Sequence, residues 1–192
     1  SKVWGDATMG AENLTLTAQW EAGKITYTVN HYQQNVDGNG YTLFNTIRGT
    51  ADMDSKVTPD VNTYEGFTSP ASATTITIKA DSGANVVNYY YTRNQYTVTW
   101  NLGIGSADGQ SYTTGKVYYG AQVKAPVPAK TGYTFKWNAE PVTTMPAGNL
   151  TYTANWTANT YKVSFNANGG TVESGKVSDR TVAYDATYGT LS

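Results

Sequence analysis

Leu150-Thr151-Tyr152-Thr153-Ala154-Asn155-Trp156 alternates apolar and polar residues without a break. In an extended chain successive side chains point to opposite faces, so Leu150, Tyr152, Ala154 and Trp156 line one face. The opposite face carries only Thr and Asn. This is the pattern of antiparallel strands with one face on a core and one in water. Leu14-Thr15-Leu16-Thr17-Ala18-Gln19-Trp20 has the same form, and Asn85-Val86-Val87-Asn88-Tyr89-Tyr90-Tyr91 is a diverged third copy. Met9-Gly10-Ala11 leads into one copy and Met145-Pro146-Ala147 into another.

A second motif opens the segments between these copies. Tyr27-Thr28-Val29-Asn30-His31, Tyr96-Thr97-Val98-Thr99-Trp100 and Tyr161-Lys162-Val163-Ser164-Phe165 begin alike, with tyrosines 69 and 65 residues apart. Trp100 to Tyr119 and Phe165 to Tyr184 are both 19 residues, so the register holds inside a unit. One large sandwich with similar strands does not require whole blocks to align. Internal repetition does. The chain therefore reads as the C-terminal part of a repeat (1–23), two full repeats (24–92 and 93–157) and the N-terminal part of another (158–192).

Composition agrees with strands. Thr occurs 31 times and Tyr 16 times, while charged residues make up 14%. Thr and Tyr suit a pleated, half-buried surface, and helix-favouring residues are scarce. Asp37-Gly38-Asn39-Gly40, Asp108-Gly109 and Asn168-Gly169-Gly170 are turn sequences. At most a short helical turn fits around 121–125 or 183–187. The expected fold class is mostly β, α+β at most. Alternation makes a core of Trp20, Tyr27, Val29, His31, Tyr91, Tyr96, Val98, Trp100, Trp137, Trp156, Tyr161 and Phe165. Tyr90 and Val86 fall on the outward face, where sister strands carry polar residues, and are the candidate contacts for an adjacent module, a glycan or a partner protein.

Several functions are excluded or left without support. A net charge of −1 with no basic block removes the electrostatic footprint of a nucleic-acid binder. No apolar run suits membrane insertion. Without Cys, and with one His, cysteine nucleophiles and multi-His metal sites have no residues to use. His31 stands where Trp100 and Phe165 stand in the sister units, which favours a core-edge histidine over a base or ligand. Asp52 and Asp54, neighbours in a polar loop without counterparts, read as solvated and not as a hydrolase pair. Asp37-Gly38-Asn39-Gly40 lacks the spaced ligands of a calcium loop. Gly103-Ile104-Gly105 is too short to cradle phosphate. We expect no enzyme, no cofactor and no metal.

Residues 93–157 resemble one Listeria–Bacteroides repeat of the internalin B type. The carriers are Tyr96 to Trp100, Tyr119-Gly120, Pro126, Pro128, Gly132-Tyr133-Thr134-Phe135, Trp137 and Tyr152 to Trp156. Lys136 departs from the family, which usually has Gly before the Trp. Residues 159–188 resemble its opening through Phe165 to Val172, and residues 1–20 its close. Residues 24–92 resemble the mucin-binding-protein repeat through Tyr27 to Tyr32, Tyr64-Glu65-Gly66-Phe67 and Val86 to Tyr91.

The resemblance implies small β-grasp (ubiquitin-like) modules in large, secreted bacterial surface proteins, with spacer, adhesion or host-contact roles. A 65-residue globule is roughly 28 Å across, while the few residues joining units, as in Thr157-Ala158-Asn159-Thr160, reach only about 14 Å. Neighbouring units must therefore sit close, in an elongated array. The expected partners are neighbouring repeats, then a glycan or host surface protein. The half repeats 1–23 and 158–192, which together hold most of one unit, are expected to complete each other between molecules or to order on their full neighbours.

Overall fold

The computed structural model describes residues 23–103, 112–171 and 179–189, with isolated positions 11, 13, 15 and 17. It is mostly β. A 3-10 turn lies at Ser82–Ala84, away from the two places where sequence allowed one. No helix among the described residues is long and apolar enough to cross a membrane.

The first sheet is built from β1 (Lys24–Gln34), β2 (Tyr41–Asp52), β4 (Phe67–Thr68) and β6 (Val86–Arg93) in the order β2-β1-β6-β4. β1 and β2 form an antiparallel hairpin whose turn places Gly38 and Gly40 at φ of 79° and 68°, the left-handed region that a side chain disfavours. β1 and β6 run parallel, from Thr28 opposite Val86 to Gln33 opposite Tyr91. A parallel pair needs a long crossover. The segment between β2 and β6 supplies it, with a small ladder of β3 (Lys56–Val57) and β5 (Ile76–Thr77). Val61, Tyr64 and Ile76 from this crossover pack on Val29, Phe67, Val87, Tyr89 and Tyr91.

The second sheet repeats this order. β8 (Val98–Asn101) pairs antiparallel with β9 (Tyr112–Thr113) and parallel with β12 (Leu150–Ala158), and β11 (Tyr133–Trp137) closes the far side. β7 (Gln95–Tyr96) and β10 (Val117–Tyr118) form a two-stranded ladder just before β8. In both sheets the first and last strands are therefore parallel neighbours at the centre. The antiparallel arrangement expected from alternation holds only for the flanking strands, because alternation reports which face is wet and not strand direction. Trp100 is fully buried, stacked on Tyr152 at 5.0 Å and tilted against Trp137 at 5.2 Å. β13 (Thr160–Val163) and β14 (Arg180–Ala183) form a further antiparallel pair.

The closing strands follow their patterns residue by residue: Val87, Tyr89 and Tyr91 are buried in β6, and Tyr152 and Ala154 in β12, with exposed residues between them. Val29, His31 and Val98 are buried; Tyr27, Tyr96, Trp137 and Trp156 are partly buried, the first three packed against a core. Trp156 donates its indole N–H to Leu102 O at 2.8 Å. Phe165 is half-buried. Tyr161 departs from expectation at 51% exposed. Among the described residues its strand is paired with β14 alone, whereas β1 and β8 each have a parallel last strand on their other side. Trp20, Asp108-Gly109, Gly105, most of the half repeat 1–23, and residues 172–178 and 190–192 of the other lie outside the described residues.

Candidate functional site

The outward face of the first sheet carries three rows set by strand register. One row joins Val86, Thr28 and Arg48; the next joins Asn88, Asn30 and Thr46; the third joins Tyr90, Tyr32 and Leu43. In the middle row Asn30 donates Nδ2 to Asn88 Oδ1 at 3.0 Å, and Thr46 donates its hydroxyl to Asn30 Oδ1 at 3.0 Å. In the third, Tyr90 stacks on Tyr32 with centroids 5.1 Å apart, and Tyr41 meets Tyr90 edge-on at 5.1 Å. Tyr90 is 49% and Val86 39% exposed. Sequence singled out these two; it missed that Tyr32 and Tyr41 join Tyr90, because β2 has no alternation of its own. The structure brings Tyr90 to rings of its own sheet, while Val86 lies two rows away.

The buried polar groups belong to the core. His31 is fully buried among Tyr64, Tyr89 and Tyr91, and its Nδ1 lies 2.9 Å from the Tyr91 hydroxyl. Its Nε2 has no hydrogen-bond partner. Burial holds the His31 pKa below its ordinary value and, with Tyr64 beside it, raises that of Tyr91. Asp52 pairs with Lys24 at 2.9 Å on the surface, and Asp54 sits in the following turn at φ 61°. Among the described residues no three of His, Cys, Asp and Glu gather as a metal site.

A second kind of site lies where one sheet gives way to the next. β6 ends at Arg93 and β7 starts at Gln95; β12 ends at Ala158 and β13 starts at Thr160. Each link is therefore one asparagine, shorter than the few residues expected. The Asn94 N–H donates to Gly66 O at 2.9 Å, and its carbonyl accepts from the Tyr119 N–H at 2.9 Å. At Asn159 the same bonds run to Gly132 O and from the Tyr184 N–H, both at 2.8 Å. Thr68 and Thr134 donate their hydroxyls to the two asparagine side chains at 2.6 and 2.7 Å. The chain matches no family model and no curated protein.

Proposed function

We propose that the chain is a run of non-catalytic spacer repeats from a bacterial cell-surface protein, projecting or supporting an adhesive domain. The observation that carries this reading is the one-asparagine link, made twice with the same bonds, first between two four-stranded sheets of the same strand order and then into the β13–β14 pair. A link pinned on both sides suits units whose task is to hold a direction. The parallel first and last strands at each sheet centre favour assigning the units 24–92 and 93–157 to the β-grasp type, and the motifs quoted above favour the B-type and mucin-binding repeat families. An extracellular location follows from that assignment.

Small-angle scattering on the whole chain tests the spacer role. A compact 192-residue globule has a radius of gyration of about 16 Å, whereas three roughly 28 Å units in a row give about 25 Å. A value near 16 Å overturns the proposal.

The tyrosine face favours a second reading: an adhesion module that takes a mucin-type glycan or a host protein through residues 24–92. Tyr90, Tyr32 and Tyr41 offer ring faces and edges to apolar C–H surface, and the Asn88–Asn30–Thr46 row offers amides and a hydroxyl beside them. A glycan array and host-protein pull-down with the whole chain test it. Binding that survives Tyr90→Ala removes this face as the site.

A further inference from the structure

We infer that successive units dock through two complementary surfaces, a tail slot on one and a head tyrosine on the next, and that the slot's partner is the tyrosine turn of a following unit of the same kind. The slot is a corner made by a glycine, an aromatic residue and a threonine, with the closing asparagine beside them. In the first unit these are Gly66, Phe67, Thr68 and Asn94; in the second, Gly132, Tyr133, Thr134 and Asn159. The head is a tight turn that follows the strand opposite the unit's first residues. Its ring is Tyr119 in the second unit and Tyr184 in the third.

The two joints match closely. Tyr119 meets Phe67 edge-on at 5.9 Å and 77°, and Tyr184 meets Tyr133 at 5.7 Å and 76°. Each receiving ring also holds a cation, Arg93 at 4.6 Å over Phe67 and Lys130 at 3.9 Å over Tyr133. Glycine is what opens the slot. A Cβ on Gly66 would run into the Tyr119 ring, and one on Gly132 into the Tyr184 ring. Both glycines also have positive φ, 76° and 79°.

The receiving rings differ, Phe against Tyr, and so do the fastenings. Arg93 donates to Tyr119 O at 2.8 Å in one joint, and the Tyr133 hydroxyl donates to Asp185 at 3.2 Å in the other. The geometry is kept although the side chains change, which marks it as a shared docking rule. The first unit has a comparable turn, closed by Ser55 N–H to Asp52 O as Ala121 closes to Tyr118 and Ala186 to Ala183. Met53 stands at the ring's position there and is 49% exposed, whereas Tyr119 and Tyr184 are partly buried.

This inference rests on the repeat reading and adds what makes one unit recognise the next. The test is nuclear magnetic resonance on the whole chain: residual dipolar couplings for residues 24–92 and 95–158, and amide exchange at Asn94 and Tyr119. One alignment tensor is expected to fit both units. Tyr119→Ala is expected to split it in two and to raise exchange at Asn94 about tenfold, the scale of a lost ring pair. Val29 and Val98, inside the two cores, should not change. Gly66→Ala should act in the same direction, and Tyr90→Ala should not.

Two tensors in the unmodified chain, or a single tensor and unchanged exchange in Tyr119→Ala, overturn the docking rule. A single tensor with a compact scattering profile overturns the spacer role while leaving the docking rule in place.

Discussion

Replacing His31 by Phe should free the first sheet from its sensitivity to mild acid. The imidazole is fully buried, its Nε2 is unpartnered, and the groups facing it are the phenol rings of Tyr64, Tyr89 and Tyr91. None of these offers a counter-charge to an imidazolium, so burial lowers the pKa below the ordinary 6.5. Between that value and the lower folded one, the unfolded chain holds a proton that the folded chain does not. Stability is therefore complete above about pH 6.5 and is lost as pH falls toward the folded value. A one-proton difference changes stability by about 1.4 kcal/mol per pH unit. Going from pH 7.5 to pH 5.5 removes at most about 1.4 kcal/mol, a tenfold rise in opening.

Amide exchange at Val29 and Val87 on the whole chain, corrected for intrinsic rate, reads this locally. Val98 and Tyr152, in a sheet without histidine, serve as the reference. His31→Phe, which installs the ring type found at Phe165, should abolish the difference between the two sheets. The reasoning fails if Val29 loses no more protection than Val98 on acidification, or if the His31→Phe chain keeps the same slope.

Other substitutions separate core from surface. Trp100→Ala removes a fully buried ring stacked on Tyr152 and should cost about 3–5 kcal/mol, read as a lower urea midpoint for the second sheet. Asn85 is buried and exchanges bonds with Lys79, accepting from its N–H at 2.9 Å and donating to its carbonyl at 2.8 Å. Asn85→Ala should therefore destabilise the first sheet by about 2 kcal/mol in denaturant titration monitored by tyrosine circular dichroism. Tyr90→Ala loses only half-exposed ring contacts and should shift thermal stability by less than about 1 kcal/mol, which keeps it usable as a binding probe.

Much of this fold could be read from side-chain alternation, and the remainder follows from what alternation does not report. The burial of Val87, Tyr89, Tyr91, Tyr152 and Ala154 follows from period-two patterning, because each strand has one face on a core. The turn before β2 was legible through Gly38 and Gly40. β2 itself was not, since Tyr41, Leu43, Phe44 and Ile47 are all exposed on an edge strand and show no alternation. Tyr161 misled because its motif copies those of β1 and β8, while its surroundings do not. At the candidate sites, Tyr90 was visible as an apolar residue in a polar register. The joints were visible only as a spacing of 19 residues, because Gly66 O, Asn94 N and Tyr119 N are backbone atoms. Their pairing leaves its trace in sequence in the recurring glycine, aromatic ring, threonine and asparagine around it.

The parallel pairing of first and last strands governs what happens when the chain is pulled. Load entering the first sheet at Lys24 and leaving at Arg93 acts along β1 and β6, whose six registered pairs from Thr28–Val86 to Gln33–Tyr91 lie side by side. Because the two strands run the same way, their loaded ends lie at opposite ends of the pair, and tension slides one strand past the other. All the bonds between them then resist together, whereas an antiparallel hairpin pulled from its open end would unzip bond by bond. β8 and β12 repeat the arrangement over four registered pairs. Survival under tension is set by the rate of unfolding and not by its equilibrium, so a unit of modest thermodynamic stability can still resist a steady tug.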